Sequence, residues 1–260
     1  PPTIIWIRCL IGTIALFATI KFLGRSTSLG NRKTYWVVLA SAVLLGGHWV
    51  TYFYSLQLSS VAIGMLSLFT YPVITSILEP ILLKTKFQRS GILLAFISLA
   101  GVGLLAPEFN LENDYTLGIV IGIFSSICYS LRNILLKTQV SSQSGLTLMF
   151  YQLLFIALLG WPMLFIEPVG IASVSANWEA LLILGILTTA TGHTLFVMSF
   201  KHFTISTVSI ISALTPLIGT LLGFIFLDEI PAGRTFIGGA LIFSTVIIES
   251  LMTVKRKGRS

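Results

Sequence analysis

Nine long apolar runs divide the chain, near residues 4–24, 35–57, 61–84, 91–106, 117–136, 146–166, 178–200, 205–227 and 235–253, with short polar clusters between them. Most approach or exceed the roughly 20 residues that a helix needs to cross the hydrocarbon of a bilayer. The pattern therefore predicts an all-α, polytopic membrane helix bundle. The run from Gly91 to Ala106 is short, so it is expected to borrow flanking residues or to sit in locally thinned membrane. Together the runs consume most of the 260 residues and leave no length for a soluble catalytic domain.

The runs also repeat. Shifting the chain by 144 positions lays Ser60–Val102 on Thr204–Val246, with Pro72 on Pro216, Leu78 on Leu222, Leu83 on Leu227 and Val102 on Val246. At a shift of 145, Gly47-His48 falls on Gly192-His193. The loop Lys84-Thr85-Lys86 falls on Asp228-Glu229-Ile230, so the charge changes sign between copies. A repeat with an odd number of spans does this, because the second copy enters the membrane from the opposite side. The expected organisation is two inverted five-helix repeats, residues 1–110 and 115–260, with the first helix of the first repeat missing. The chain begins with Pro1 rather than Met, and the missing span is expected upstream of it.

Composition and charge sharpen this picture. At 55% hydrophobic, 10% charged and a mean hydropathy of +0.95, the chain cannot clothe a soluble surface, which needs about 25% charged residues. Sixteen Lys and Arg against nine Asp and Glu give +7, a balance that in a soluble protein would suggest nucleic acid. Here the cations lie in short loops, and placing Pro1 outside puts fourteen of the sixteen inside, with only Arg8 and Arg234 on the other face. Glu108, Glu112, Asp114, Glu167, Glu179, Asp228 and Glu229 fall in the outer loops, so the C-terminus is expected in the cytoplasm. Cys9 and Cys128 lie inside apolar runs and form neither a CxxC motif nor a disulfide framework.

Several residues could carry chemistry. Pro72 and Pro216 sit near the middle of matching spans, where a proline frees the carbonyl one turn back, of Leu68 or Ser212, and kinks the helix. Paired helix breaks in two halves point to a transporter's binding site; proline is also simply common in membrane helices. His48 shares one face with Ser41, Tyr52 and Ser55, and Trp49, Tyr54 and Tyr71 add aromatic surface. His193 occupies the matching helix with Thr189 one turn away. A midplane histidine can bind ligand or relay protons, or it can bridge two helices by hydrogen bonds. Ser125, Tyr129 and Arg132 share a face, with Asn133 adjacent. Glu79 and Arg132 both lie about one turn inside the cytoplasmic boundary and could pair; the simpler account is snorkelling, or for Glu79 attraction to Lys84 or Lys86. Arg8, one turn below the outer surface, could draw anionic ligands or hold the missing span.

Other motifs have other readings. Gly101-x-Gly103-x-x-Ala106 ends an apolar span instead of linking a strand to a helix, so it is a packing surface rather than a dinucleotide fingerprint. Gly118-x-x-x-Gly122 and Gly219-x-x-x-Gly223 could allow close helix approach. Without HExxH or a clustered His/Cys set, no metal site and no cofactor are expected. Asp114 and Asp228, the only aspartates, fall in loops rather than in an intramembrane pair.

The stretch SSVAIGMLSLFTYPVITSILEPILLKTKF, its counterpart FTISTVSIISALTPLIGTLLGFIFLDEI and the glycine-bearing last helix of each half resemble the drug/metabolite transporter superfamily, specifically its EamA-type ten-helix members. The resemblance covers essentially the whole chain. It implies a carrier that moves small organic solutes, often outward, across the bacterial inner membrane through a central cavity between the halves. Glu229 matches the acidic residue that commonly follows the family's fourth helix, whereas the first half has Lys86 near that place; Arg8 resembles an arginine early in its second helix.

The leading expectation is a secondary transporter, not an enzyme, exporting a metabolite or drug-like solute by alternating access, with Pro72 and Pro216 in the moving helices. His48, Trp49, Tyr52, Tyr71, Tyr129, Arg132 and His193 are the expected substrate-binding residues. The partners are a small-molecule substrate and the lipid bilayer, with no nucleic acid; a homodimer is compatible. The alternatives are an integral-membrane enzyme acting on lipid-linked substrates, which needs a nucleophile with a positioned base, and a non-transporting helper subunit.

Overall fold

The computed structural model describes residues 2–59, 61–105, 113–165, 171–227 and 233–257. The loop acids Glu108, Glu112, Glu167, Asp228 and Glu229 lie outside the described residues, as do the side chain of Asp114 and the surroundings of Gly219 and Gly223. Apolar periodicity without polar interruption gives helices throughout, and the described residues contain no strand. In order they are α1 (Pro2–Phe22), α2 (Arg32–Leu58), α3 (Val61–Leu68), α4 (Tyr71–Leu83), α5 (Arg89–Leu105), α6 (Asn113–Lys137) and α7 (Gly145–Gly160), the last continued by a 3-10 turn, Trp161–Phe165. Then come α8 (Ile171–Ala176), α9 (Trp178–Ile183), a π-helical segment (Leu184–Gly192), α10 (His193–Ser199), α11 (Ile205–Ser212), α12 (Leu214–Leu227) and α13 (Gly233–Lys257).

Six helical stretches are long and apolar enough to cross a membrane, and Arg89–Leu104, Gly145–Gly160 and Ile205–Ile218 are shorter apolar helices. Ile14, Leu117, Val120, Phe236 and Leu251 are exposed on the helix surfaces, where lipid rather than water suits them. The protein is an integral membrane protein. Each predicted run corresponds to a helix or a broken pair of helices; α8 alone has no counterpart among the runs.

The chain forms two compact units, each drawing on two separate segments. Unit 1 comprises Pro1–Val50 and Leu131–His202; unit 2 comprises Thr51–Ser130 and Phe203–Ser260. This division does not follow the sequence boundary near residues 110–115, which rests on repetition rather than compactness. In unit 1, α1 packs along α7 and the π-helical segment. The approach is close because glycines meet: a Cβ on Gly12 would stand 3.3 Å from the Gly185 carbonyl oxygen, and one on Gly185 would stand 2.7 Å from Ile11. In unit 2, α5 packs along α13 and α4 against α11, around Val73, Leu94, Ala95 and Ile210.

The prolines behave differently from the kinks expected within continuous helices. α3 ends at Leu68, the chain turns at Phe69 and Thr70, and Pro72 is the second residue of α4. α11 ends at Ser212, and Pro216 is the third residue of α12 after a turn at Ala213. In the first turn of a helix the missing N–H removes no intrahelical bond, so each proline starts a new helix instead of straining an old one. The two breaks are in register: Val61 and Ile205, Leu68 and Ser212, and Arg89 and Gly233 each stand 144 positions apart.

The glycine motifs act as packing surfaces. A Cβ on Gly101 would lie 2.8 Å from Ile242 Cγ1 and 2.9 Å from the Gly238 carbonyl oxygen on α13, whereas one on Gly103 would meet only Leu66, at 3.8 Å. Gly101→Val is expected to destabilise the protein by about 1–3 kcal/mol, because backbone cannot move aside as a side chain can, while Gly103→Ala leaves stability unchanged. Unfolding midpoints of the purified variants in detergent check the contrast. Gly118 and Gly122 similarly admit Ser59 and Ser67 of the same unit.

Candidate functional site

Unit 1 buries an unusual amount of polar chemistry for a membrane interior. Arg8 lies two turns into α1, about 9 Å from its start at 1.5 Å per residue, and is 6% exposed. Its Nε–H donates to Thr189 Oγ1 at 2.8 Å, and Thr189 Oγ1 donates to the Leu184 carbonyl at 2.7 Å. That second bond spans five residues within the π-helical segment. The wider turn thus presents a hydroxyl whose own proton is already committed, leaving its oxygen to accept from Arg8. The guanidinium carbon lies 4.3 Å from the centroid of the Trp49 ring, a cation–π contact. Trp49 in turn meets His193 edge-on, with centroids 5.3 Å apart at 74°. His193, the first residue of α10, is within electrostatic reach of Arg8, Arg132 and His48.

Arg132 is fully buried in the same unit. It donates from Nη1 to Asn133 Oδ1 at 2.9 Å and from Nη2 to Gln152 Oε1 at 2.6 Å, with Met149 Sδ at 3.0 Å from Nη2. Gln152 Nε2 passes the chain on to Ser41 Oγ at 2.7 Å, and Ser41 donates to the Val38 carbonyl at 2.8 Å. Ser41 thereby joins α2 to α7 and α6 through side chains alone.

The structure thus brings His48, Trp49, Arg132 and His193 into unit 1, and carries Tyr52, Tyr71 and Tyr129 in unit 2. Tyr71 and Tyr129 meet edge-on at 5.0 Å and 75°. Tyr71 opens α4 directly after one helix break, and its hydroxyl hydrogen-bonds the hydroxyl of Ser212, which closes α11 directly before the other. One break therefore touches the other. Hydroxyls on α6 fasten the first: Ser126 Oγ lies 2.8 Å from Thr70 Oγ1, and Thr75 Oγ1 donates to Ser130 Oγ at 3.0 Å.

Glu79 corrects the sequence reading. It neither snorkels nor reaches toward Lys84 or Lys86, but is buried at 6% exposure against the start of α11. Its Oε1 accepts the Ile205 N–H at 2.9 Å, and its Oε2 accepts the Ser206 N–H at 2.8 Å and the Ser206 hydroxyl at 2.6 Å. Glu249, also buried, accepts from Thr207 Oγ1 one residue further on, at 2.8 Å. The missed signal was Phe203-Thr204-Ile205-Ser206-Thr207, a helix start rich in hydroxyls with no acid of its own. Gln152 was also missed, because a lone glutamine in an apolar run carries no motif.

The profile of the EamA-like transporter family matches residues 1–106 and 116–251. An inner membrane transporter of Escherichia coli, YhbE, whose activity is uncharacterised, is 30% identical over 84% of this chain and 70% of its own length. An uncharacterised transporter of Archaeoglobus fulgidus is 27% identical, covering 76% of this chain and 70% of that protein. The pseudopaline exporter CntI of Pseudomonas aeruginosa is 20% identical, covering 92% and 82%. A crystal structure 20% identical in sequence superposes with a TM-score of 0.82 over 98% of this chain and 88% of that one, which shows a shared fold.

Proposed function

Because this chain belongs to the EamA-like transporter family, we propose that it is a secondary carrier that exports a small organic metabolite or drug-like solute by alternating access. The observation that carries the mechanism is the contact between the two helix breaks, Tyr71 on Ser212. Two short helices, each followed four residues after its end by a proline in the first turn of a new helix, supply hinges whose backbone can rotate without losing an intrahelical bond. The 144-residue register of these elements supports two inverted copies related through the membrane plane. His48, Trp49, Arg132 and His193 are proposed to recognise solute in unit 1. Tyr52, Tyr71 and Tyr129 are proposed as the solute contacts of unit 2. The outward direction has the named activity of the Pseudomonas relative in its favour, the inner membrane has the named location of the Escherichia coli relative, and the cation distribution supports a cytoplasmic C-terminus.

The test is flux in vesicles reconstituted with the full-length chain and loaded with amino acids, organic acids and cationic drugs. At least one solute is expected to cross in a protein-dependent way and emerge unchanged. No flux across the panel overturns the reading, and a chemically altered product supports the enzyme alternative. Pro72→Ala and Pro216→Ala restore N–H groups that reach back to the Leu68 and Ser212 carbonyls and favour helix across the breaks. Each is expected to cut turnover about threefold to tenfold, an effect of about 1 kcal/mol on the moving step, with normal membrane insertion and a larger loss in the double variant. Unchanged turnover in the double variant removes the breaks from the mechanism.

A further inference from the structure

Arg8 is the buried cation whose surroundings explain least about why it is there. Its partners among the described residues are neutral: the Thr189 hydroxyl takes Nε–H, and the guanidinium carbon sits over the Trp49 ring. No described residue accepts a hydrogen bond from its two terminal nitrogens. The unit around it holds eight Lys and Arg but only two acids, Glu167 and Glu179. Glu167 lies outside the described residues, and Glu179 is exposed in the first turn of α9. Within reach of the neighbouring His193 stand Arg132 and His48, which add positive or neutral character and no negative charge. Arg8 is 6% exposed as a residue, and a guanidinium so largely withdrawn from solvent, with no counter-charge among the described residues, is costly; a cation–π contact offsets only part of that cost.

The geometry also says what shape of anion would fit. The side-on fork of Arg8 is spoiled because Nε–H is spent on Thr189, and Thr189 is itself fixed by its bond to Leu184. What remains is the end-on pair, one N–H from each terminal nitrogen, parallel and in one plane. Two coplanar oxygens a carboxylate's width apart match it bidentately. A phosphate monoester would ask for more donors and more charge than one fork supplies. Trp49, whose ring centroid lies 4.3 Å from the guanidinium carbon, and Thr189 restrain the guanidinium before any ligand arrives, so little ordering is required on binding.

We infer that Arg8 anchors the carboxylate of the transported solute, so that the substrates of this protein are small organic carboxylates, an inference that rests on the transport reading above. Trp49 and Thr189 are positioning residues for that anchor. The arrangement makes a specific demand: an acid and its neutral amide, alike in size and shape, differ by a charge-assisted pair of hydrogen bonds at one end.

The experiment uses the full-length chain in phosphatidylcholine vesicles and matched probes: phenylacetate against phenylacetamide, and N-acetylated amino acids against their amides, each corrected for protein-free vesicles. Where a pair is transported, the acid is expected to move about tenfold or more faster than the amide, the usual worth of hydrogen bonds to a charged group. Arg8→Gln brings the ratio to about one, and Arg8→Lys, which keeps charge but loses the fork, falls between. Thr189→Val leaves the charge and frees its orientation; it lowers the acid-to-amide ratio about threefold or more, chiefly by raising KM for the acid. If Arg8→Gln does not reach the membrane, Thr189→Val decides alone. Acid and amide moving equally well in the wild type overturns the inference while leaving transport standing, as does an unchanged ratio in Arg8→Gln or in Thr189→Val. If no probe and no member of the wider solute panel moves, the transport reading itself falls. Repeating the assay with phosphatidylglycerol separates the other source of oxyanions: loss of acid selectivity in those vesicles, together with an Arg8 requirement for stability only there, assigns the fork to a lipid phosphate and overturns the inference.

Discussion

Glu79→Ala is expected to lower the stability of the protein by about 3 kcal/mol or more, because it strips the acceptors from three buried donors at once, and each orphaned donor costs on the order of 1–3 kcal/mol. The donors are the Ile205 and Ser206 N–H groups and the Ser206 hydroxyl. Two of them belong to the first turn of α11, where a helix has N–H groups that its own backbone cannot satisfy. The side chain of Thr204, the N-cap residue, accepts the Thr207 N–H alone among the first-turn N–H groups, so the carboxylate borrowed from α4 completes the cap. Its negative charge also suits the positive end of the helix. Glu79→Gln should cost less, about 1–2 kcal/mol, since one carbonyl still accepts while the amide nitrogen meets donors. The unfolding midpoint in detergent, read by size exclusion after heating, orders the three proteins wild type, Gln, Ala. An alanine variant as stable as the wild type would show that α11 is capped by something else. Transport should fall with the cap as well, since Glu79 ties α4, downstream of one break, to α11, upstream of the other.

That tie marks the boundary of what the chain alone made legible. Hydropathy located the runs well, because a helix in lipid must satisfy its backbone internally and so reads as one unbroken apolar stretch. Proline located the breaks to within a few residues, because it cannot continue a helix N-terminal to itself. It did not reveal that the break lies before Pro72 and Pro216 rather than around them: the choice between a kink and a fresh start depends on whether Thr70 and Ala213 find turn partners, which they do in Ser67 and Ile210. The π-helical turn at Leu184–Gly192 was hidden for a different reason. Over nine residues the difference between 3.6 and about 4.4 residues per turn moves few apolar positions to a new face, so hydropathy cannot separate them. Yet that turn sets Thr189 against Arg8. Pairings such as Glu79 with Ser206 or Arg132 with Gln152 join helices whose neighbourhood is a tertiary fact, and sequence supplied only the polar residues awaiting partners. Trp49 on His193 and Tyr71 on Tyr129 brought together expected residues in pairs that periodicity did not foresee.

Arg132 offers the sharpest separation of stability from function. Arg132→Met is expected to destabilise the protein by about 3 kcal/mol, as removal of a buried cation leaves the acceptors of Asn133 and Gln152 facing an apolar side chain. Adding Gln152→Leu removes one of those stranded acceptors, and Ser41 keeps its bond to Val38. Buried polar networks replaced by apolar groups of similar volume are often neutral in stability, so the double variant is expected to recover most of the loss and to unfold within about 1 kcal/mol of the wild type. Transport should not recover with it. If methionine and leucine can replace the guanidinium without loss of stability, the proposed role of the charge lies with the solute or with the field around His193. The expected result is a double variant that inserts and unfolds like the wild type and moves solute about tenfold or more slowly, the effect of removing one charge-assisted hydrogen bond. A double variant that regains flux along with stability would make Arg132 a tie between helices and leave recognition in unit 1 to Arg8, Trp49 and the histidines.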